Sequence, residues 1–172
     1  LLAIDRRQVT ALVLLDLSAA FDTVDHDILL ERLQCWFGIT GSALGLLSSY
    51  LSLRTQSVLI NGVSSSSLPV HTGVPQGSVL GPVLFTLYTT PIADLIGQHG
   101  LSYHLYADDT QIYVSFAASD APASLRLMTS ALGSVNQWFH ANRLSLNPGK
   151  TEFLLIGTPQ QRSKISDQQL LF

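Results

Sequence analysis

Val9-Thr10-Ala11-Leu12-Val13-Leu14-Leu15-Asp16 is a run of seven uncharged, mostly apolar residues closed by a carboxylate. Apolar residues without alternation, over so short a length, predict a strand buried on both faces. A second stretch complements it. Leu101–Tyr106 and Gln111–Phe116 are β-rich arms around Ala107-Asp108-Asp109-Thr110, a hairpin with acidic residues at its tip.

Working outward, Asp25–Gln34 carries Ile28, Leu29, Leu30 and Leu33 at helical spacing, and Gly38 stops it. Ser42–Leu53 predicts a second helix with Ser42 as cap. Gln56–Ile60 and Val63–Val70 read as arms about the Asn61-Gly62 turn. Ser78–Ile96 predicts a helix capped by Ser78, with Pro91 kinking or ending it. Ala121–Ala141 is amphipathic, Asn147-Pro148-Gly149 is a turn, and Glu152–Ile156 is a last strand. The expected fold is α+β: an antiparallel sheet with helices packed on one face. Residues 1–157 form the domain, and 158–172 form a loose polar tail.

Charged residues make up 12% of the chain, against about 25% in ordinary domains. The surface is therefore expected to expose apolar faces that a larger protein covers. The net charge of −3, with nine Lys plus Arg, offers no basic patch for an independent grip on nucleic acid. The single cysteine, Cys35, excludes an internal disulfide and reads as a core residue in a reducing compartment. The most apolar segment, Val79–Tyr88, is short of the roughly 20 residues of a membrane span, so no membrane partner is expected.

Asp16, Asp108 and Asp109 stand where carboxylates do not favour stability. Asp16 ends an apolar strand, and Asp108 and Asp109 are adjacent at a hairpin tip. Like charges repel, and a divalent cation removes that penalty. Mg²⁺ takes hard oxygen ligands, and two such ions roughly 4 Å apart clamp the oxygens of phosphoryl transfer. The plainer reading makes Asp16 a helix cap and the pair a polar turn. Likewise Asp22, Asp25, His26 and Asp27 read as a capped, solvated helix start. His71, His99, His104 and His140 show no ligand spacing.

The order of four motifs decides between these readings. Asp16-Leu17-Ser18-Ala19-Ala20-Phe21-Asp22 resembles the first catalytic motif of reverse transcriptases. Gly73-Val74-Pro75-Gln76-Gly77-Ser78-Val79-Leu80-Gly81-Pro82-Val83-Leu84-Phe85 resembles their second, and Tyr106-Ala107-Asp108-Asp109 their Tyr-x-Asp-Asp box. Asn147-Pro148-Gly149-Lys150-Thr151-Glu152 is similar to the lysine motif that follows. Phe21-Asp22-Thr23-Val24-Asp25-His26 and Tyr50-Leu51-Ser52-Leu53-Arg54-Thr55-Gln56 resemble the non-LTR, LINE-type retrotransposon enzymes.

That resemblance implies a polymerase palm using Mg²⁺ or Mn²⁺ to add dNTP to a DNA primer on an RNA template. It implies Asp16 and Asp108 as principal metal ligands, with the Leu17 carbonyl and Asp109 assisting. It makes Phe21 the bulky group that excludes a 2′-hydroxyl, and sets Gln76 and Gly77 against the incoming nucleotide. Pro75 and Tyr106 fall on the primer and template side, and Lys150 becomes the acid that protonates pyrophosphate. The implied setting is intracellular, nuclear and cytoplasmic. The resemblance also implies fingers before this stretch and a thumb after it, with the tail leading toward the thumb. Such regions would supply the missing basic residues. A non-catalytic retrotransposon remnant serving as an interaction or RNA-binding module is the competing class, and a maturase-like relative sharing the palm is a third.

Overall fold

The computed structural model describes residues 2–165. In chain order the elements are α1 (Leu2–Asp5), β1 (Val9–Leu15), α2 (His26–Cys35), α3 (Gly41–Leu51) and the two-residue strands β2 (Thr55–Gln56), β3 (Leu59–Ile60), β4 (Val63–Ser64) and β5 (Leu68–Pro69). They continue as α4 (Leu80–Thr89), α5 (Pro91–Gln98), β6 (Ser102–Tyr106), β7 (Asp109–Phe116), α6 (Ala121–Ala141), β8 (Glu152–Ile156) and α7 (Pro159–Arg162). The chain divides into two compact units, Leu1–Ser18 with Thr89–Phe172, and Ala19–Tyr88.

The first, a sheet unit, is built on four antiparallel strands in the order β6-β7-β1-β8. Strand β1 lies between β7 and β8, which explains its near-continuous apolar run. Its burial nevertheless alternates. Val9, Ala11, Val13 and Leu15 are buried, whereas Thr10, Leu12 and Leu14 are only half-buried. This corrects the expectation of burial on both faces: within this unit, among the described residues, helices cover one face and leave the other open. Helix α5 packs on β6 and on α6, and α6 packs on β7. Helix α6 contributes Leu125, Met128, Leu132, Val135 and Phe139 to the core at the spacing of one helical face. By strand alternation the open face carries Thr10, Leu12 and Leu14 with their cross-strand partners Ser115, Tyr113 and Gln111.

The second, a helical unit, packs around Val24, Leu29, Leu33, Leu51, Phe85 and Tyr88, all buried. Arg32 of α2 donates to the Tyr88 carbonyl and lies 5.1 Å from the centroid of the Tyr88 ring. Burial lowers its pKa from the ordinary arginine value, while Tyr88 and Glu31 raise it. The ribbon from β2 to β5 forms two short ladders, Thr55–Gln56 with Leu68–Pro69 and Leu59–Ile60 with Val63–Ser64. Val58, Leu59, Ile60, Val63 and Leu68 are all exposed there, as the low charge content led one to expect.

Several sequence expectations need correction. Cys35 is exposed, because it closes α2 on the outward side. Helix α3 begins at Gly41 with Thr40 at its cap position and no side-chain cap bond, so Ser42 falls inside the first turn. The span Ser78–Ile96 divides at Pro91, as that proline was expected to do, into α4 and α5, with Pro91 opening the second. Taken together, Leu80–Gln98 is long and apolar enough to cross a membrane, which the shorter apolar segment read from sequence is not. Its Leu84, Phe85, Tyr88, Ile92 and Ile96 are buried in the protein. Of the expected tail, residues 158–165 are described. Thr158 caps α7 by accepting from the Gln161 N–H, and Ile165 is buried. The rest of the expected tail, 166–172, lies outside the described residues.

Candidate active site

Strand register sets the segments that carry the acids side by side. Leu15 pairs with Thr110 at the end of the β1–β7 ladder, and Tyr106 pairs with Asp109 at the end of β6–β7. Asp16 directly follows Leu15, the last residue of β1, and Asp109 directly precedes Thr110 in β7, so both stand at the same end of the sheet. Alternation directs Asp16 with Leu12 and Leu14, and Asp109 with Gln111 and Tyr113, to the open face. Tyr106, 74% exposed, shares that face as the partner of Asp109.

The hairpin tip is tighter than the four residues read from sequence. Only Ala107 and Asp108 form the turn, and Asp109 already belongs to β7. Ala107 has φ of 52° while Asp108 does not enter the positive region. That sign pattern is the one a type II′ hairpin turn carries, where glycine is the ordinary first residue. A side chain held there stores backbone strain.

A bridge between Leu17 and Leu146 fixes the end of β1 from its other side. The Asn147 N–H donates to the Asp16 carbonyl at 2.8 Å, and the Ser18 N–H donates to the Ser145 carbonyl at 2.8 Å. Flanked by these bonds, the Leu17 carbonyl turns away from Leu146, toward the side where β7 lies. The Asn147 carbonyl then accepts from the Lys150 and Thr151 N–H groups at 3.1 and 3.0 Å, forming the turn that presents Lys150. The Lys150 ammonium lies 3.8 Å from Asp16 Oδ2. Lys150 is 70% exposed, so this contact is worth little in stability, about 0–1 kcal/mol.

Asp16 Oδ2 is buried and has no hydrogen-bond partner. Leaving a buried acceptor unsatisfied costs about 1–3 kcal/mol, which a ligand to that oxygen would relieve. Carboxylates and a backbone carbonyl form a hard-oxygen donor set that suits Mg²⁺ or Mn²⁺. Among the described residues no three His, Cys, Asp or Glu side chains form a group that could hold a metal ion by themselves. An open set fits an ion that takes its remaining ligands from substrate phosphates. A groove on the helix-covered side, lined by Leu15, Leu132, His140, Leu146 and Pro148, includes none of these acids.

The other expected site residues lie in the helical unit. The Phe21 ring rests on buried Phe85, with centroids 5.0 Å apart. The Val74 N–H donates to the Phe21 carbonyl at 2.8 Å, tying the Gly73–Gly77 loop to this segment. Pro75 presents its carbonyl to the Ser78 hydroxyl at 2.6 Å, and that hydroxyl accepts from the Gly81 N–H at 3.0 Å, capping α4. Gln76 is exposed, and its amide donates to Asp22 Oδ1 at 3.0 Å. Gly77 has φ of 76° and nothing within 4 Å of an added Cβ, so its backbone is open to a ligand.

Sequence reasoning missed two residues. His26 and Asp22 were read as part of a solvated helix start. Asp25 alone caps α2, accepting from the Asp27 and Ile28 N–H groups at 3.0 and 3.1 Å. His26 Nε2 is instead 2.8 Å from the Gly73 carbonyl, and Asp22 meets Gln76. These contacts span about fifty residues, and no local pattern reveals them.

The family model described as reverse transcriptase (RNA-dependent DNA polymerase) matches residues 2–169. A probable RNA-directed DNA polymerase from transposon BS of Drosophila melanogaster is 33% identical over 160 residues, covering 87% of this chain and 17% of that protein. The polymerase of the mobile element jockey, from the same organism, is 29% identical over 154 residues, 86% of this chain and 16% of that protein. The chain thus spans about one sixth of the length of these relatives. Among solved structures, apo telomerase of Candida tropicalis truncated from its C-terminal domain superimposes with a TM-score of 0.66 at 16% identity. The superposition covers 86% of this chain and 31% of the telomerase, and shows a shared fold. The chain belongs to the reverse transcriptase family, as a palm of the non-LTR retrotransposon type.

Proposed function

We propose that this palm catalyses RNA-directed DNA synthesis, joining dNTP to the 3′-hydroxyl of a DNA primer on an RNA template. The observation that supports the proposal is the β1–β7 register, whose last pair, Leu15 with Thr110, leaves Asp16 and Asp109 at the same end of the sheet. Asp16, Asp108, Asp109 and the Leu17 carbonyl would hold Mg²⁺ or Mn²⁺. Such ions supply charge neutralisation and a clamp on the attacking and leaving oxygens.

The chain's own residues position and protonate. In the reaction the primer 3′-hydroxyl gives its proton to solvent and its oxygen bonds to the α-phosphorus, while the bond from that phosphorus to the oxygen bridging the β-phosphate breaks. Lys150, held beside Asp16 by the Asn147 turn, gives a proton to the departing pyrophosphate. Phe21 supports the incoming sugar and leaves no space for a 2′-hydroxyl. Gln76 and Gly77 meet the nucleotide, while Pro75 and Tyr106 face template and primer. The negative net charge leaves the main grip on nucleic acid to basic surfaces elsewhere in a longer protein.

Primer extension on an RNA template by a full-length protein carrying these residues tests the reading. Wild type extends with Mg²⁺, and Asp16→Asn and Asp108→Asn do not, with their thermal unfolding unchanged. Full extension by either variant would overturn the assignment.

A further inference from the structure

Two segments of the helical unit are joined far more closely than neighbouring loops require. The Thr72 hydroxyl donates to the Asp22 carbonyl at 2.9 Å, and the Gly73 N–H donates to the Val24 carbonyl at 2.7 Å. The Val74 N–H donates to the Phe21 carbonyl, and Asp25 and Thr72 form a bridge. Two side chains complete the set. His26 Nε2 contacts the Gly73 carbonyl at 2.8 Å, and Gln76 Nε2 donates to Asp22 Oδ1 at 3.0 Å. A carbonyl only accepts, so His26 carries its proton on Nε2.

Asp22 is exposed and His26 half-buried, so water could satisfy both. Their fixed partners therefore do little to relieve buried polarity and much to set geometry. A glutamine amide on its own presents oxygen or nitrogen to a ligand equally well. A carboxylate breaks that symmetry, because it accepts only from the NH₂ group. With its nitrogen held by Asp22, Gln76 turns its oxygen away, as an acceptor for a hydroxyl donor.

We infer that Asp22 and His26 are positioning residues for nucleotide selection. Asp22 fixes the Gln76 amide with its oxygen turned out to accept from a nucleotide sugar hydroxyl. His26 clamps the Gly73 loop to the segment that carries Phe21. The steric gate and the polar reader are thus one preassembled piece. This inference rests on the polymerase reading above.

Single-nucleotide incorporation by the full-length protein tests it. Asp22→Ala raises KM for dNTP about tenfold, the scale of one lost charge-assisted hydrogen bond, with kcat within about twofold. Asp22→Asn, whose carbonyl oxygen still accepts from Gln76, keeps most of the wild-type KM. Asp22→Ala combined with Gln76→Ala is no worse than Gln76→Ala alone, because Asp22 acts through Gln76. His26→Ala weakens discrimination against ribonucleotides. An unchanged KM in Asp22→Ala, an Asp22→Asn as impaired as the alanine variant, or additive losses in the double variant would overturn the inference while the polymerase reading stands. A wild type that extends no primer would overturn both.

Discussion

Gly73 leaves no room for a side chain against Asp22: a Cβ there would lie 2.9 Å from both the Asp22 Cα and its carbonyl oxygen. The atoms it would strike are backbone and cannot turn aside. The φ of 87° at Gly73 is also unfavourable for any side chain. Gly73→Ala is therefore expected to destabilise the fold by about 3 kcal/mol, from overpacking and backbone strain together. Denaturant unfolding measures it, and a loss below about 1 kcal/mol would mean the two segments separate easily.

Phe21 is half-buried and backed by Phe85. Phe21→Ala should admit ribonucleotides, seen as a fall in the ratio of kcat/KM for dNTP over rNTP of at least about tenfold, the value of roughly 1.4 kcal/mol. Unchanged sugar selectivity would remove the gate role. Phe85→Ala should act in the same direction more weakly, and also cost about 3–5 kcal/mol of stability, since Phe85 is fully buried.

Ala107 bends the hairpin that carries Asp108 with a φ of 52°. Ala107→Gly relieves that conformation and is expected to stabilise the fold by about 1 kcal/mol, while loosening the acids and lowering kcat. Thermal unfolding and extension rates measured on the same variant separate the two effects.

Lys150 contributes little to stability, and its proposed role is in the chemistry. Lys150→Ala should change unfolding free energy by no more than about 1 kcal/mol. Its effect should appear in kcat, as a loss of about 10²-fold, with KM for dNTP nearly unchanged. A rise in KM at constant kcat would make Lys150 a binding residue instead.

Sequence alone revealed those features that local pattern controls. Strand β1, helix α6 and strand β8 fall where apolar spacing placed them, and Asn61-Gly62 turns the exposed ribbon as its composition predicts. The acids were singled out through the order of four motifs, since a carboxylate that ends a strand or stands in a turn has ordinary explanations by itself. The open face of β1 was not legible, since a central strand reads as apolar on both sides whether or not a second layer covers it. Cys35 misled because cysteine's burial preference is only an average. Asp22 and His26 were not legible through the contacts they make, because those contacts are with a segment distant in sequence.

The central claim is that Asp16, Asp108 and Asp109 share divalent ions on the open face of the sheet. Mn²⁺ added to the isotopically labelled 172-residue chain tests it most directly, by paramagnetic broadening of backbone amide resonances. The account predicts selective broadening at residues 16–17 and 106–110, lost in Asp16→Asn and in Asp108→Asn while the remaining spectrum is preserved. Broadening elsewhere, or broadening at these residues that survives both substitutions, would contradict it.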